Sequence, residues 1–271
     1  MRLKIILRVL PLVLLGLFLF LSAVPQTNAA VFGTRCQSEF QNGWSVTLPE
    51  VWNRCGWFNN ELDDTDFKAF YFNLQGGRFD FTTCDECNGG PDAVHLLYVD
   101  THGGTNGGTA GIFMWDQNST AITPRDGMRY GDENVGLAIL AQYLCRTLSV
   151  DSAANVISRW LPVFQGGMIM ATGSHDLIWD GVTTNETGED FADDLQSRKT
   201  VKNAWFDANS DWNADQDLAV FATGSSLTGA HNADADCQYR RDRLTWQNFG
   251  QYARWRDGQV EWICWSTIND A

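Results

Sequence analysis

Two apolar segments of the chain each lead into a side chain that can take part in nucleophilic catalysis. Residues 93–100 lead into His102 and Gly103, and residues 137–144 lead directly into Cys145. Apolar runs of this length are typical of buried strands in a parallel sheet. If the two strands are parallel neighbours, the imidazole and the thiol meet at the carboxyl edge, where open α/β sheets hold their ligands. A histidine beside a cysteine produces a thiolate nucleophile.

The number of cysteines supports this pairing. The chain has seven, and outside the cytosol six of them can form three disulfides, which leaves one over. Cys145 ends an apolar strand, whereas the other six lie in polar segments, so we expect Cys145 to be the free thiol. A simpler interpretation stays open for each residue. Cys145 could be an inert buried cysteine, and His102 could be a turn residue before a Gly-rich loop.

The first 29 residues have the pattern of a secretory signal peptide. Three basic residues precede an apolar stretch and a small-residue end, which predicts cleavage after Ala29 or Ala30 and a secreted protein. An uncleaved anchor helix is the alternative. Cleavage leaves 242 residues, enough for one α/β domain over 30–271. The mature chain then has 16 basic and 33 acidic residues, a net charge of −17. This charge argues against nucleic acid and anionic membranes as partners, and it suits a basic substrate.

Hydrophobic spacing predicts a mostly parallel sheet with helices on both faces. Residues 93–100, 137–144, 167–173 and 217–222 are expected to be adjacent parallel strands, with a short strand over 111–115. Helices are expected over 60–74, 153–164, 188–197 and 201–210. Residues 31–60 are expected to be irregular and stapled by Cys36 and Cys55. Residues 236–271 are expected to form an antiparallel extension with a turn at Asp257-Gly258, held by Cys237 and Cys264.

The order of these features resembles a known group of enzymes. A strand ending in His-Gly, followed within several tens of residues by a strand ending in Cys, resembles the caspase-like cysteine peptidases of clan CD, which include caspases, legumains, clostripain and gingipains. Downstream segments are similar to an uncharacterised family of secreted bacterial proteins with a caspase-like core: residues 160–161 (WL), 164–167 (FQGG), 172–173 (TG), 191–195 (FADDL) and 204–206 (AWF). The resemblance covers roughly residues 55–225 and implies a caspase-like three-layer sandwich.

The resemblance also implies a mechanism. Cys145 would attack a peptide carbonyl, and His102 would protonate the leaving amine and then activate water. The backbone amides of Gly103 and Cys145 would hold the oxyanion. The group usually selects one P1 side chain (the substrate residue before the cleaved bond) through a charged pocket. Asp176 or Asp180 would make that pocket select Arg or Lys.

Two features depart from the group's pattern. Leu144 stands where a small residue usually precedes the cysteine, and Arg146 follows it. The charge of Arg146 would lower the pKa of the thiol, or its side chain would fill the substrate position.

The resemblance leads us to expect a secreted endopeptidase that acts on peptides or proteins. The alternative is a catalytically silent caspase-like fold that serves as an extracellular binding module.

No cofactor is expected for this chemistry. Asp207, Asn209 and Asp211 place oxygen ligands at alternate positions, as a calcium loop does, but the glycine and bidentate glutamate of such a loop are missing. A solvated acidic helix end is the favoured interpretation. Cys84 and Cys87 precede a turn instead of opening a helix, which favours structural disulfides over zinc or redox chemistry.

Overall fold

The structure is a computed structural model, and it describes residues 31–38, 48–63, 68–73, 81, 90–106, 109–112, 127–132, 135–178, 180–210, 216–225 and 260–268. Several predictions concern residues outside these ranges, namely the signal peptide, Cys84, Cys87, Asp211, Cys237 and the turn at Asp257-Gly258.

The described residues form nine strands and four helices. The strands are β1 (Val31–Cys36), β2 (Lys68–Asn73), β3 (Leu96–Asp100), β4 (Gly103–Asn106), β5 (Thr109–Ile112), β6 (Ile139–Tyr143), β7 (Met170–Ser174), β8 (Leu218–Ser225) and β9 (Val260–Ile268). The helices are α1 (Val51–Asp63), α2 (Ala153–Phe164), α3 (Thr187–Gln196) and α4 (Val201–Ser210). Single 3₁₀ turns cover Pro91–Ala93 and Val182–Thr184.

Seven of these strands make one mixed sheet in the order β2-β1-β3-β6-β7-β8-β9. The first five are parallel, which confirms an α/β fold with a mostly parallel sheet and confirms that β3 and β6 are parallel neighbours. The prediction that the strand near 217–222 is parallel was wrong, because Leu218 pairs with Ser174 and β8 runs antiparallel to β7. Two helices lie between β7 and β8. The chain leaves β7 at the carboxyl edge of the sheet and enters β8 from that same edge, which makes the two strands antiparallel.

Helices cover both faces of the sheet, because alternate strand residues point to opposite sides. Leu96 and Tyr98 of β3 join a core with α1, α3 and α4, whereas Leu97 and Val99 join a core with α2. On the first face, Phe58 of α1 stacks on Tyr98 with ring centroids 4.6 Å apart. The strands are thus buried on both sides, which explains their continuous apolar runs.

Three predicted helices are present. The bounds of α2 and α4 agree with the sequence prediction, and α3 starts one residue earlier than predicted. The side chain of Ser152 caps α2 by accepting a hydrogen bond from the Asn155 amide at 3.2 Å.

The prediction for residues 31–74 was wrong in two places. Residues 31–36 form β1 in the sheet interior and residues 51–63 form α1, where an irregular segment was expected. The expected helix over 60–74 is instead the end of α1 followed by β2, which pairs with β1. The sequence of β2, KAFYFN, is rich in aromatic residues, which favour strands once a neighbouring strand is available. The disulfide between Cys36 and Cys55 is present.

The carboxyl-terminal strand is a part of the main sheet. β9 pairs antiparallel with β8 at the edge, and Cys264 is disulfide-bonded. β5 (Thr109–Ile112) pairs with β4 and includes the first two residues of the strand predicted over 111–115, whose residues 113–115 lie outside the described ranges.

Candidate functional site

The register of two neighbouring strands sets the position of the predicted dyad. Asp100 of β3 pairs with Tyr143 of β6 in the last row of the two strands. His102 and Cys145 each follow that row by two residues, so both lie at the carboxyl edge of the sheet. His102 is half-buried, and so is Cys145. Of the cysteines in the described ranges, Cys145 is the free thiol.

Gly103 brings the segment after β3 directly against the segment after β6. A Cβ atom at Gly103 would lie 2.5 Å from the carbonyl oxygen of Cys145 and 2.8 Å from Cβ of Leu144. Real Cβ atoms do not approach other atoms so closely, so only glycine allows this contact. The structure thus brings together the backbones of two residues that the sequence analysis assigned to one site.

The thiol of Cys145 is in contact with the segment after β7. Sγ donates to the carbonyl oxygen of Ile178 at 3.4 Å and accepts from the Ile178 amide at 3.5 Å. Burial raises the pKa of this thiol, although the Ile178 hydrogen bond and the charge of Arg146 oppose the shift. The segment after β7 therefore contacts the sulfur, and burial of the thiol favours its protonated form.

Arg146 and Asp176 hold this covering segment in place. Nε of Arg146 lies 2.6 Å from Oδ1 of Asp176, and the backbone amide of Arg146 donates to the carbonyl oxygen of Asp176 at 2.8 Å. Arg146 has a φ of 55°, a left-handed conformation that is uncommon for a residue with a side chain. The guanidinium is thus committed to Asp176, one of the two predicted specificity residues.

The second predicted specificity residue, Asp180, belongs to a buried ionic cluster around Arg54. Arg54 binds Asp100 through Nε–Oδ2 (2.6 Å) and Nη2–Oδ1 (3.2 Å). Its Nη1 lies 2.8 Å from Oδ1 of Asp180 and donates to Oγ1 of Thr184 at 3.2 Å. The guanidinium carbon lies 4.2 Å from the centre of the Tyr143 ring. The Arg54 side chain is fully buried.

Burial changes the acidity of two groups in this cluster. Burial raises the pKa of Asp100 to about 6, against the lowering effect of Arg54, and Asp180 adds to the rise. Burial also raises the pKa of Tyr143 to about 12, so the phenol stays neutral. Two carboxyl groups, Asp100 and Asp180, thus share one guanidinium. Among the described residues, neither oxygen of Asp180 accepts a hydrogen bond of good geometry, although Oδ1 lies 2.8 Å from Nη1 of Arg54.

This cluster was not predicted from the sequence, although the position of an arginine on the apolar face of α1 indicates it. Val51, Cys55, Phe58 and Leu62 mark the buried face of the helix, and Arg54 falls on the same face. An arginine on the apolar face of a helix requires a buried carboxylate partner. Asp100, at the end of an apolar strand, was the available candidate.

Asp207 and Asn209 of the calcium-loop pattern lie on α4, and a second histidine, His175, follows β7 at the carboxyl edge. Nε2 of His175 lies 3.8 Å from Oδ1 of Asp217. Asp207 binds Lys199 at 2.9 Å, and the amide of Asn209 donates to Trp205 O inside the protein, so both belong to a helix end. Within the described residues no group of three or more His, Cys, Asp or Glu side chains is arranged to hold a metal ion.

The fold and the site define an α/β protein with a cysteine at the carboxyl edge of a mostly parallel sheet. The chain belongs to the family described as a domain of unknown function (DUF6345), which matches residues 35–236. The match includes every residue of the site described above. A comparison with curated proteins gave no match. In the described part of the chain, no helix has the length and apolarity needed to cross a membrane.

Proposed function

We propose that this protein is a secreted, caspase-like cysteine endopeptidase that uses Cys145 and His102. The observation that carries the proposal is the contact between the backbones of Gly103 and Cys145 at the carboxyl edge, since it brings the His-Gly segment to the cysteine. The Cys36–Cys55 disulfide supports an oxidising compartment. The three-layer arrangement supports the caspase-like core.

The chemistry proceeds in two steps. The thiol proton passes to His102, Sγ of Cys145 bonds to the substrate carbonyl carbon, and the amide C–N bond breaks as His102 returns the proton to the leaving amine. Water then attacks the thioester carbon while His102 takes its proton. The C–S bond breaks, His102 returns the proton to Sγ, and a carboxylic acid leaves the regenerated thiol. The amides of Gly103 and Cys145 hold the oxyanion in both steps.

We further propose that the enzyme cleaves after a basic residue. Asp180 supports this, because it shares the guanidinium of Arg54 with Asp100, and among the described residues its oxygens accept no hydrogen bond. Asp176 supports it less, because Arg146 already neutralises it. A substrate Arg or Lys would supply the missing positive charge.

A second function is favoured by the state of the thiol. The contacts with Ile178 and the raised pKa of Cys145 suit a cysteine that performs no chemistry. The protein would then be a binding module with a caspase-like fold.

Cleavage of a peptide panel with varied P1 residues tests the two proposals. We expect cleavage after Arg or Lys, and we expect Cys145→Ala and His102→Ala each to reduce kcat by about 10³-fold or more. His175→Ala is the matched histidine variant at the same edge, and it should retain activity. Full activity in Cys145→Ala would place the chemistry elsewhere. Failure of the wild-type protein to cleave any peptide would favour the binding module.

A further inference from the structure

Arg54 contacts three chain segments that meet at the candidate site. Its partners are Asp100 at the end of β3, Tyr143 at the end of β6, and Asp180 with Thr184 in the turn that precedes α3. These contacts join a helix on one face of the sheet to the carboxyl edge.

Each of three partners lies two residues from a residue at the site. Asp100 precedes His102, and Tyr143 precedes Cys145. Asp180 follows Ile178, whose backbone holds the Cys145 sulfur. A displacement of the guanidinium would therefore change the positions of the histidine, the cysteine and the segment that covers the cysteine.

Arg54 is itself held in place from several directions. Cys55, the next residue, is joined to Cys36 at the end of β1. A Cβ atom on Gly188 of α3 would overlap the carbonyl oxygen of Arg54, so the two helices are in close contact there. A guanidinium held in this way keeps the geometry of its partners fixed.

We propose that Arg54 is a positioning residue for Cys145: it fixes the segment from Ile178 to Thr184 against β3 and β6, and so determines how far the thiol is covered. The inference deepens the proposed function, but it concerns thiol accessibility and holds whether or not the protein cleaves peptides.

Lysine cannot replace arginine in this role. A guanidinium offers five N–H donors in a planar fork; Arg54 donates to Asp100 and Thr184 and forms an ion pair with Asp180 at the same time. An ammonium group keeps the charge but cannot span the same partners. In Arg54→Lys the Ile178 segment should separate from β3 more often, and solvent should reach the sulfur.

Alkylation of Cys145 by iodoacetamide, followed by mass spectrometry of the peptide that contains it, tests the inference. We expect Arg54→Lys to increase the alkylation rate by about tenfold and to shift the midpoint of its pH profile to lower pH. Arg159→Lys is the matched control. Arg159 is also buried and holds a loop, through Ser149 O at 3.3 Å and Asp151, but it lies on α2 across the sheet.

Several outcomes separate this inference from a merely structural role and from the proposed function. A folded Arg54→Lys protein with a lower Tm and an unchanged alkylation profile would overturn the inference. If Arg54→Lys does not fold, Thr184→Val is the second variant. It removes the hydroxyl that joins the turn to Arg54, Gly181 and the Tyr143 side chain and leaves the Arg54 guanidinium in place. An unchanged profile there would also overturn the inference. A changed profile in a protein that cleaves nothing would support the positioning role and reject the peptidase.

Discussion

The sulfur of Cys145 lies between the amide nitrogen and the carbonyl oxygen of Ile178, at 3.5 Å and 3.4 Å. Under the proposed mechanism, a substrate carbonyl would compete with this backbone for contact with Sγ. The half-buried thiol is thus in contact with the segment after β7, which is why we propose that this segment limits access to it.

Removal of the Arg146–Asp176 ion pair should make Cys145 more reactive. Both side chains are almost half exposed, so their 2.6 Å contact contributes at most about 1 kcal/mol. We expect Asp176→Asn to raise the iodoacetamide alkylation rate of Cys145 by up to about fivefold, and we expect high salt to raise the wild-type rate similarly. Arg129→Ala, which breaks another exposed pair with Asp132, is the control and should leave the rate unchanged. Equal rates in Asp176→Asn and the wild type would show that the ion pair does not hold the segment.

The Gly103–Cys145 contact should not tolerate a methyl group. In Gly103→Ala the new Cβ would lie 2.5 Å from a backbone oxygen, so we expect a loss of stability of about 1–3 kcal/mol and of any peptidase activity. Gly56→Ala in α1 is the matched control, because a Cβ there meets nothing within 4 Å. That variant should be slightly stabilised, since alanine favours helices. Urea unfolding of both proteins measures the difference. Equal stability of the two variants would argue against the close contact.

Asp100 should make stability depend on pH. Its pKa is raised from 3.8 to about 6 in the folded protein, so between these values the folded chain holds a proton that the unfolded chain has lost. Protonation of Asp100 stabilises the folded state fully below pH 3.8, and this stabilisation is lost as the pH rises through 6. Relative to Asp100→Asn, the wild-type free energy of unfolding should fall by about 3 kcal/mol over this window. Urea titrations across the window measure it. The same pH slope in both proteins would mean that Asp100 titrates normally.

The Cys36–Cys55 disulfide should stabilise the protein and position α1. It closes a loop of 19 residues, so the paired variant Cys36→Ala/Cys55→Ala should lose roughly 3 kcal/mol of unfolding free energy. Because Cys55 adjoins Arg54, the folded fraction should also show faster alkylation of Cys145. A loss of stability without a change in alkylation would separate the disulfide from the site.

The sequence by itself determined the elements around the candidate site. The apolar runs before His102 and Cys145 predicted neighbouring parallel strands, since a strand buried on both faces has no polar side. The spacing of residues 153–164 and 201–210 predicted two helices with the bounds observed. Segment composition also singled out Cys145 as a free thiol, which the structure confirms.

Only the tertiary structure decided the direction of β8, the strand nature of residues 31–36 and 68–73, and the Arg54 cluster. A short aromatic segment such as KAFYFN fits a helix or a strand locally, and pairing with β1 settles the choice. Strand direction depends on how the preceding helices return the chain, which no local pattern encodes. Buried charges are stable only beside partners that lie far away in sequence, as Asp100 is 46 residues from Arg54. The sequence therefore determined where a free thiol lies, and the fold determined which backbone contacts it.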